Sequence, residues 1–185
     1  EEIDWDEWID TVEINLLCVV YTCRALLPHF KKRGYGKILI LAGGGATHPF
    51  PRFSAYAASK AAVVRFAETL AEEVKGSGIH VNAVAPGALN TRFLNEALEA
   101  GPDRVGPDFY AKSKKQKREG GASLERAADL CVFLASSAND QISGRLISAV
   151  WDPWEQLPEH AQELIDSDVY TLRRIVPNDR GLGWE

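Results

Sequence analysis

The sequence predicts an α/β fold, a parallel sheet with helices on both faces. The first observation is a set of short, continuously apolar runs: "KILILA" (37–42), "IHVNAVA" (79–85) and "GRLISAVW" (144–151). Runs of this kind suit strands buried on both sides of a parallel sheet. The second is the longer stretches before and between them, in which apolar residues recur three and four apart, the spacing of a helix face. The third is their strict alternation, helix–strand–helix–strand–helix–strand, which calls for right-handed crossovers. Three strands are few for such a sheet, so further strands are expected in front.

Each element has its own warrant. Residues 4 to 33 read as one long helix, with Trp5, Trp8, Ile9, Val12, Leu16, Val19, Val20, Cys23, Leu26, Leu27 and Phe30 on its apolar stripe. Asp4 or Asp6 caps its start. Lys31, Lys32 and Arg33 suit its C-terminal dipole before Gly34 ends it, and Pro28 is expected to kink the last turn. Ser54 to Lys75 is a second helix with the stripe Val63, Phe66, Leu70 and Val74. Residues 99 to 121 are polar and rich in Gly, Pro and Lys, and read as a long loop or lid. Ser123 caps a third helix, "LERAADLCVFLAS", and a short helix is expected near 158–166.

The totals bound the function. The chain has 185 residues, 45% hydrophobic and 25% charged, with net charge −5. That is an ordinary globular composition, and nothing global points to nucleic acid or an anionic membrane. No apolar run reaches the length of a membrane span, so no membrane partner is expected. Cys18, Cys23 and Cys131 lack metal-ligand spacing, and Cys18 and Cys23, in an apolar helical run, read as buried free thiols, which gives a reducing, cytoplasmic location and no metal. The chain has no methionine and starts Glu-Glu, which points to a fragment or a processed product.

The chemistry is concentrated in "AGGGATHPFPRFSAYAASK" (42–60). Tyr56 and Lys60 stand at i and i+4, on one helix face. A free phenol has a pKa near 10 and is a poor acid–base catalyst at neutrality. A neighbouring ammonium favours the phenolate and is expected to lower that value. A bare Tyr-x-x-x-Lys is more often a surface tyrosine beside a solvated lysine, so context decides.

The context is "INLL" in the first helix, "SAYAASKAA" after a buried strand, "VNAVAPGALNT", and a late "SGRLI". With these motifs the chain resembles the short-chain dehydrogenase/reductase family over roughly residues 4 to 150. The resemblance implies a partial doubly wound, Rossmann-like sheet and hydride transfer with NAD or NADP, acting on a small-molecule carbonyl or alcohol. It implies Tyr56 as general acid and base, Lys60 as the residue that lowers the tyrosine pKa and holds the nicotinamide ribose, and Asn15 as the anchor of a water linking Lys60 to solvent. Pro86 and Gly87 would shape the floor beside the nicotinamide. The Leu89 backbone would bind the carboxamide, and Thr91 would reach the carboxamide or pyrophosphate. Gly43, Gly44 and Phe93 are the candidate substrate contacts. The resemblance divides the chain into residues 1–150, with a substrate lid at 92–121, and an extension at 151–185. It further implies a homodimer or homotetramer.

Two departures from the family pattern stand out. No glycine-rich turn opens the chain; Gly181 and Gly183 have no helix after them. Such a turn cradles pyrophosphate at a helix N-terminus. Several βα units of ~30 residues each are therefore expected ahead of residue 1, and the chain alone is expected to bind dinucleotide weakly. The family also carries a serine thirteen residues before the tyrosine, where this chain has Gly43. Loss of one donor to a developing oxyanion costs ~10²–10³ in rate, and a non-catalytic binding or oligomerisation module is the alternative reading. A serine restored at 43 is expected to raise activity or at least not lower it, the risk being a positive φ there. The basic cluster "KSKKQKR" (112–118) reads as a solvated lid face rather than a nucleic-acid site.

Overall fold

A computed structural model describes residues 3–184. Its sheet has three parallel strands in the order β1 (Gly36–Leu41), β2 (Ile79–Ala85), β3 (Leu146–Ser148). Side chains alternate between the faces of the sheet, and each face is covered. Ile38 and Ile40 of β1 and Ile79, Val81 and Ala83 of β2 pack with Cys23, Val63, Val64, Ala67 and Leu70. Val84 and Ile147 turn the other way, onto Ala127, Leu130 and Leu134. Buried Asn82 is a polar exception. Its Nδ2 donates to the Ile142 carbonyl (2.8 Å) and its Oδ1 accepts from the Arg145 N–H (3.0 Å). Both ends of the amide are thus paired, and they fix the loop that leads into β3.

The N-terminal helix is continuous but not uniform. α1 (Trp5–Val12) passes through a π-helical turn (Glu13–Leu17) into α2 (Cys18–Arg33). Asp4 caps it, accepting from the Asp6 and Glu7 N–H groups, and the helix runs through Pro28 to a left-handed Gly34 (φ 69°). The 29-residue run Trp5–Arg33 is long and apolar enough to cross a membrane by length and composition, which corrects the sequence expectation. In this fold one side of it, Leu16, Val19, Cys23, Leu27 and Phe30, packs on the core. Cys18 is exposed, contrary to expectation, and only Cys23 is buried.

α3 (Ser54–Glu73) follows β1, and α6 (Leu124–Ala135) precedes β3 with Ser123 as its cap, accepting from the Arg126 N–H. The segment expected as a loop is helical: α4 (Arg92–Val105) and α5 (Pro107–Glu119). Gly101, Gly106 and Gly120, all with positive φ, interrupt or end these helices rather than unravel the segment. That is why Gly and Pro content misread as coil: Pro102 and Pro107 each sit where a helix starts again.

The tail packs as part of the domain. Trp154, Leu157 and Leu164 of residues 151–185, with α7 (Ala161–Ile165), are buried in the α6-side cluster. Beyond α7 the chain lies along β3 and α3. The Leu146 N–H donates to the Tyr170 carbonyl (2.8 Å), and Glu68 accepts from the Leu172 N–H (2.6 Å). Arg65 donates to the Leu172 carbonyl, and Arg145 to those of Leu164, Ser167 and Val169. Glu68 Oε2 lies 2.7 Å from Arg65 Nη1 as an ion pair, but no N–H is aimed at it. Trp151 and Trp184 are exposed.

Candidate active site

The site forms where β1 and β2 end. Ala42 extends the pairing of β1 by donating to the Val84 carbonyl (2.8 Å), and the Gly43–Gly45 turn follows. The chain then returns as α3, whose first two turns carry Tyr56 and Lys60. Lys60 Nζ donates to the carbonyl of Leu41, the last residue of β1 (3.0 Å), and lies 5.7 Å from the centre of the Tyr56 ring. Strand end and helix face are thereby tied at the carboxyl edge of the sheet, where open α/β sheets bind ligands.

The electrostatics correct one expectation. Burial pushes the Tyr56 phenol above its ordinary value and the Lys60 ammonium below its own. The ammonium was expected to lower the phenol. It is instead turned to the Leu41 carbonyl, so desolvation dominates both groups.

The three glycines are not equivalent. A Cβ on Gly43 would overlap the Tyr56 hydroxyl and sit 3.3 Å from Cζ of its ring and 3.6 Å from Lys60 Cε. A Cβ on Gly44 would meet only Phe50, at 3.6 Å. Gly45 has φ +84°, and a Cβ there would stand 2.7 Å from that of Ala57. Position 43 is therefore crowded by the tyrosine and not strained by a positive φ, and a serine there requires the Tyr56 hydroxyl to shift. Among the described residues, the Gly44 and Gly45 N–H groups donate to no protein acceptor.

Asn15 lies in the π turn, which packs against α3. Its Nδ2 donates to the Thr11 carbonyl (2.9 Å), one turn back, and the link between Asn15 and Lys60 is not a direct hydrogen bond. Pro86 and Gly87 follow β2. Gly87 has φ +92°, and a Cβ on it would press on Val150 Cγ2 at 2.6 Å and Ala122 Cβ at 2.9 Å, so close packing holds this glycine. The Leu89 backbone, expected to bind a carboxamide, is engaged locally: its N–H donates to the Gly87 carbonyl (3.1 Å) and its carbonyl accepts from the Thr91 N–H (3.0 Å). Thr91 precedes α4 without capping it by its side chain.

Sequence reasoning named Phe93 as a substrate contact but missed the aromatic cluster it belongs to. Phe93 stacks on Tyr56, centroids 5.0 Å apart and planes at 21°. Phe50 meets Tyr56 edge-on (6.3 Å) and stacks on Phe53 (4.5 Å), while Phe109 stands edge-on to both Phe50 and Phe53. The spacing of Phe50, Phe53 and Tyr56, three apart in "FPRFSAY", was a legible signal. Phe109 was hidden by the reading of its segment as coil. Arg52, with φ +70°, reaches from the same loop to the Asp103 and Arg104 carbonyls, at the junction of α4 and α5.

Comparison with known proteins places this geometry. The family described as short chain dehydrogenase matches residues 1–101. Dehydrogenase/reductase SDR family member 4 of Sus scrofa is 31% identical over 140 residues, 76% of this chain and 48% of that protein. The 3beta-hydroxysteroid dehydrogenase 1 of Eggerthella lenta is 39% identical over 145 residues, 75% of this chain and 52% of that protein. The structure of a variant actinorhodin polyketide ketoreductase with NADPH superposes with a TM-score of 0.69 at 25% identity, covering 80% of this chain and 59% of the other. The chain spans about half the length of the curated relatives it matches.

Proposed function

The chain belongs to the short-chain dehydrogenase family, and we propose that it carries the catalytic half of an NAD- or NADP-dependent oxidoreductase that reduces a carbonyl or oxidises the matching secondary alcohol. One observation carries the reading: Tyr56 and Lys60 share the first turns of α3 at the carboxyl ends of β1 and β2. The Lys60 ammonium has three donors and spends one on Leu41, so donors remain for a ribose. Thr91 keeps its hydroxyl free of its own helix. These residues fit the nicotinamide end of a dinucleotide. Among the described residues, the glycine run that follows a strand, Gly43–Gly45, is parted from α3 by residues 46–53, so it does not lie at the helix N-terminus as a phosphate cradle does.

A bound nicotinamide would supply or accept the hydride at the substrate carbon. The rest falls to the chain. Tyr56 Oη gives its proton to the carbonyl oxygen in reduction and takes it back in oxidation. Burial keeps the phenol protonated at neutral pH, which favours the proton-donating form. Lys60 meets the resulting phenolate with a positive charge one helical turn away. In place of a hydroxyl at position 43, the Gly44 and Gly45 N–H groups are the donors available to the oxygen as charge builds on it. Assembly as a homodimer or homotetramer belongs to the same proposal and is read by light scattering.

The second reading is a non-catalytic relative that kept the fold. The lack of a side-chain hydroxyl at position 43 favours it. Titration of the full-length protein with NADH and NADPH, followed by turnover of a ketone panel, separates the two. Tyr56→Phe is expected to abolish reduction and leave cofactor affinity within about twofold, since only the titrating hydroxyl goes. Cofactor binding with no turnover by the wild type establishes the second reading. Sub-micromolar binding by the 185-residue chain alone would show a phosphate site that this fold does not display.

A further inference from the structure

We propose that the substrate bears its carbonyl on a flat, apolar ring system, which seats on the face of Tyr56 now covered by Phe93; this rests on the oxidoreductase reading above. The ring positions carry the argument. Five aromatic side chains from three segments converge here: Phe50, Phe53 and Tyr56 from the β1–α3 connection and the start of α3, Phe93 from α4, and Phe109 from α5. The 5.0 Å, near-parallel Phe93–Tyr56 pair occupies the space a planar ligand would take against the phenol. Phe50, edge-on to Tyr56, would form the side wall.

Charge points the same way. Of the cations beside the cluster, Lys60 holds the Leu41 carbonyl and, on the reading above, turns its remaining donors to the ribose, and Arg52 donates to the carbonyls of Asp103 and Arg104. The lysines of α5 lie on its outer side, where Lys114 covers Tyr110 and Lys117 bonds Asn95. The floor at Gly43 and Gly44 offers no polar side chain. A polyhydroxylated acid would bury each hydroxyl and its carboxylate against rings with no partner, and a site of this kind discriminates strongly against such groups. A ring ketone asks for one polar contact only, at its oxygen.

The test uses the full-length protein with NADH and NADPH in turn, and tetralone and ketogluconate as probes. Tetralone is expected to give a kcat/KM at least about 100-fold above ketogluconate. Two variants give opposite signs. Phe50→Leu removes the side wall and raises KM for tetralone about tenfold. Phe93→Ala removes the ring that competes for the Tyr56 face and lowers that KM. A merely structural effect would move both variants the same way, and that result overturns the proposal, as does preference for ketogluconate. The latter leaves the oxidoreductase reading standing. No oxidation of either cofactor with any ketone, in a protein that melts cooperatively, overturns both.

Discussion

The Tyr56 hydroxyl occupies the space in which a side chain at Gly43 would begin. The relationship turns a missing serine into a steric statement. Phe93 on its face and Phe50 at its edge hold the tyrosine ring, so the ring does not swing aside freely.

Gly43→Ala is expected to destabilise the protein by about 1–3 kcal/mol through overpacking. Gly44→Ala is expected to stay within about 0.5 kcal/mol, since its Cβ meets Phe50 at an ordinary 3.6 Å. Thermal melting reads the pair. Gly43→Ser should slow carbonyl reduction by about 10²-fold, because a phenol displaced by ~1 Å loses its line to the substrate. A folded Gly43→Ser protein that turns over faster would mean the ring yields after all.

Lys60 carries a pH signature. Burial lowers its folded pKa below the unfolded value of 10.5, so the folded state binds this proton less tightly than the unfolded state does. Its contribution to stability is present above the unfolded pKa and is lost as pH falls through the folded one. Lys60→Met should therefore melt higher than wild type at pH ~7. The gap should close as pH rises toward 10.5. Melting curves across that range decide it, and a gap that ignores pH would show that Lys60 is not desolvated.

Arg52 latches the junction of α4 and α5 from a left-handed backbone position. Arg52→Gly relieves the backbone strain and removes the latch, whereas Arg52→Ala keeps the strain. Both should raise hydrogen exchange at 101–110, and the glycine variant should be the more stable of the two by about 1 kcal/mol. Unchanged exchange in both would show that the aromatic cluster alone holds the lid.

Arg145 gathers the carbonyls of Leu164, Ser167 and Val169. Arg145→Ala strands these carbonyls and should cost about 2–3 kcal/mol. Limited proteolysis should then cut within 164–172 before the rest of the chain. Cleavage elsewhere first would show that the buried Trp154, Leu157 and Leu164 hold the tail without it.

The sequence by itself determined the elements whose pattern is local. β1 and β2 were legible because parallel strands buried on both faces read as unbroken apolar runs. α3 and α6 were legible from their 3.6-residue stripes and, for α6, its serine cap. Tyr56 and Lys60 were legible because their relation is one helical turn, which no tertiary contact has to supply. Only the tertiary structure decided the rest. Phe93 reaches Tyr56, and Phe109 reaches Phe50 and Phe53 beside it, across dozens of residues and through helices that glycine and proline disguised as coil. The pKa directions depend on burial, which spacing does not encode. The meaning of Gly43 depended on where the Tyr56 hydroxyl ends up, a distance between a strand end and a helix that packing sets.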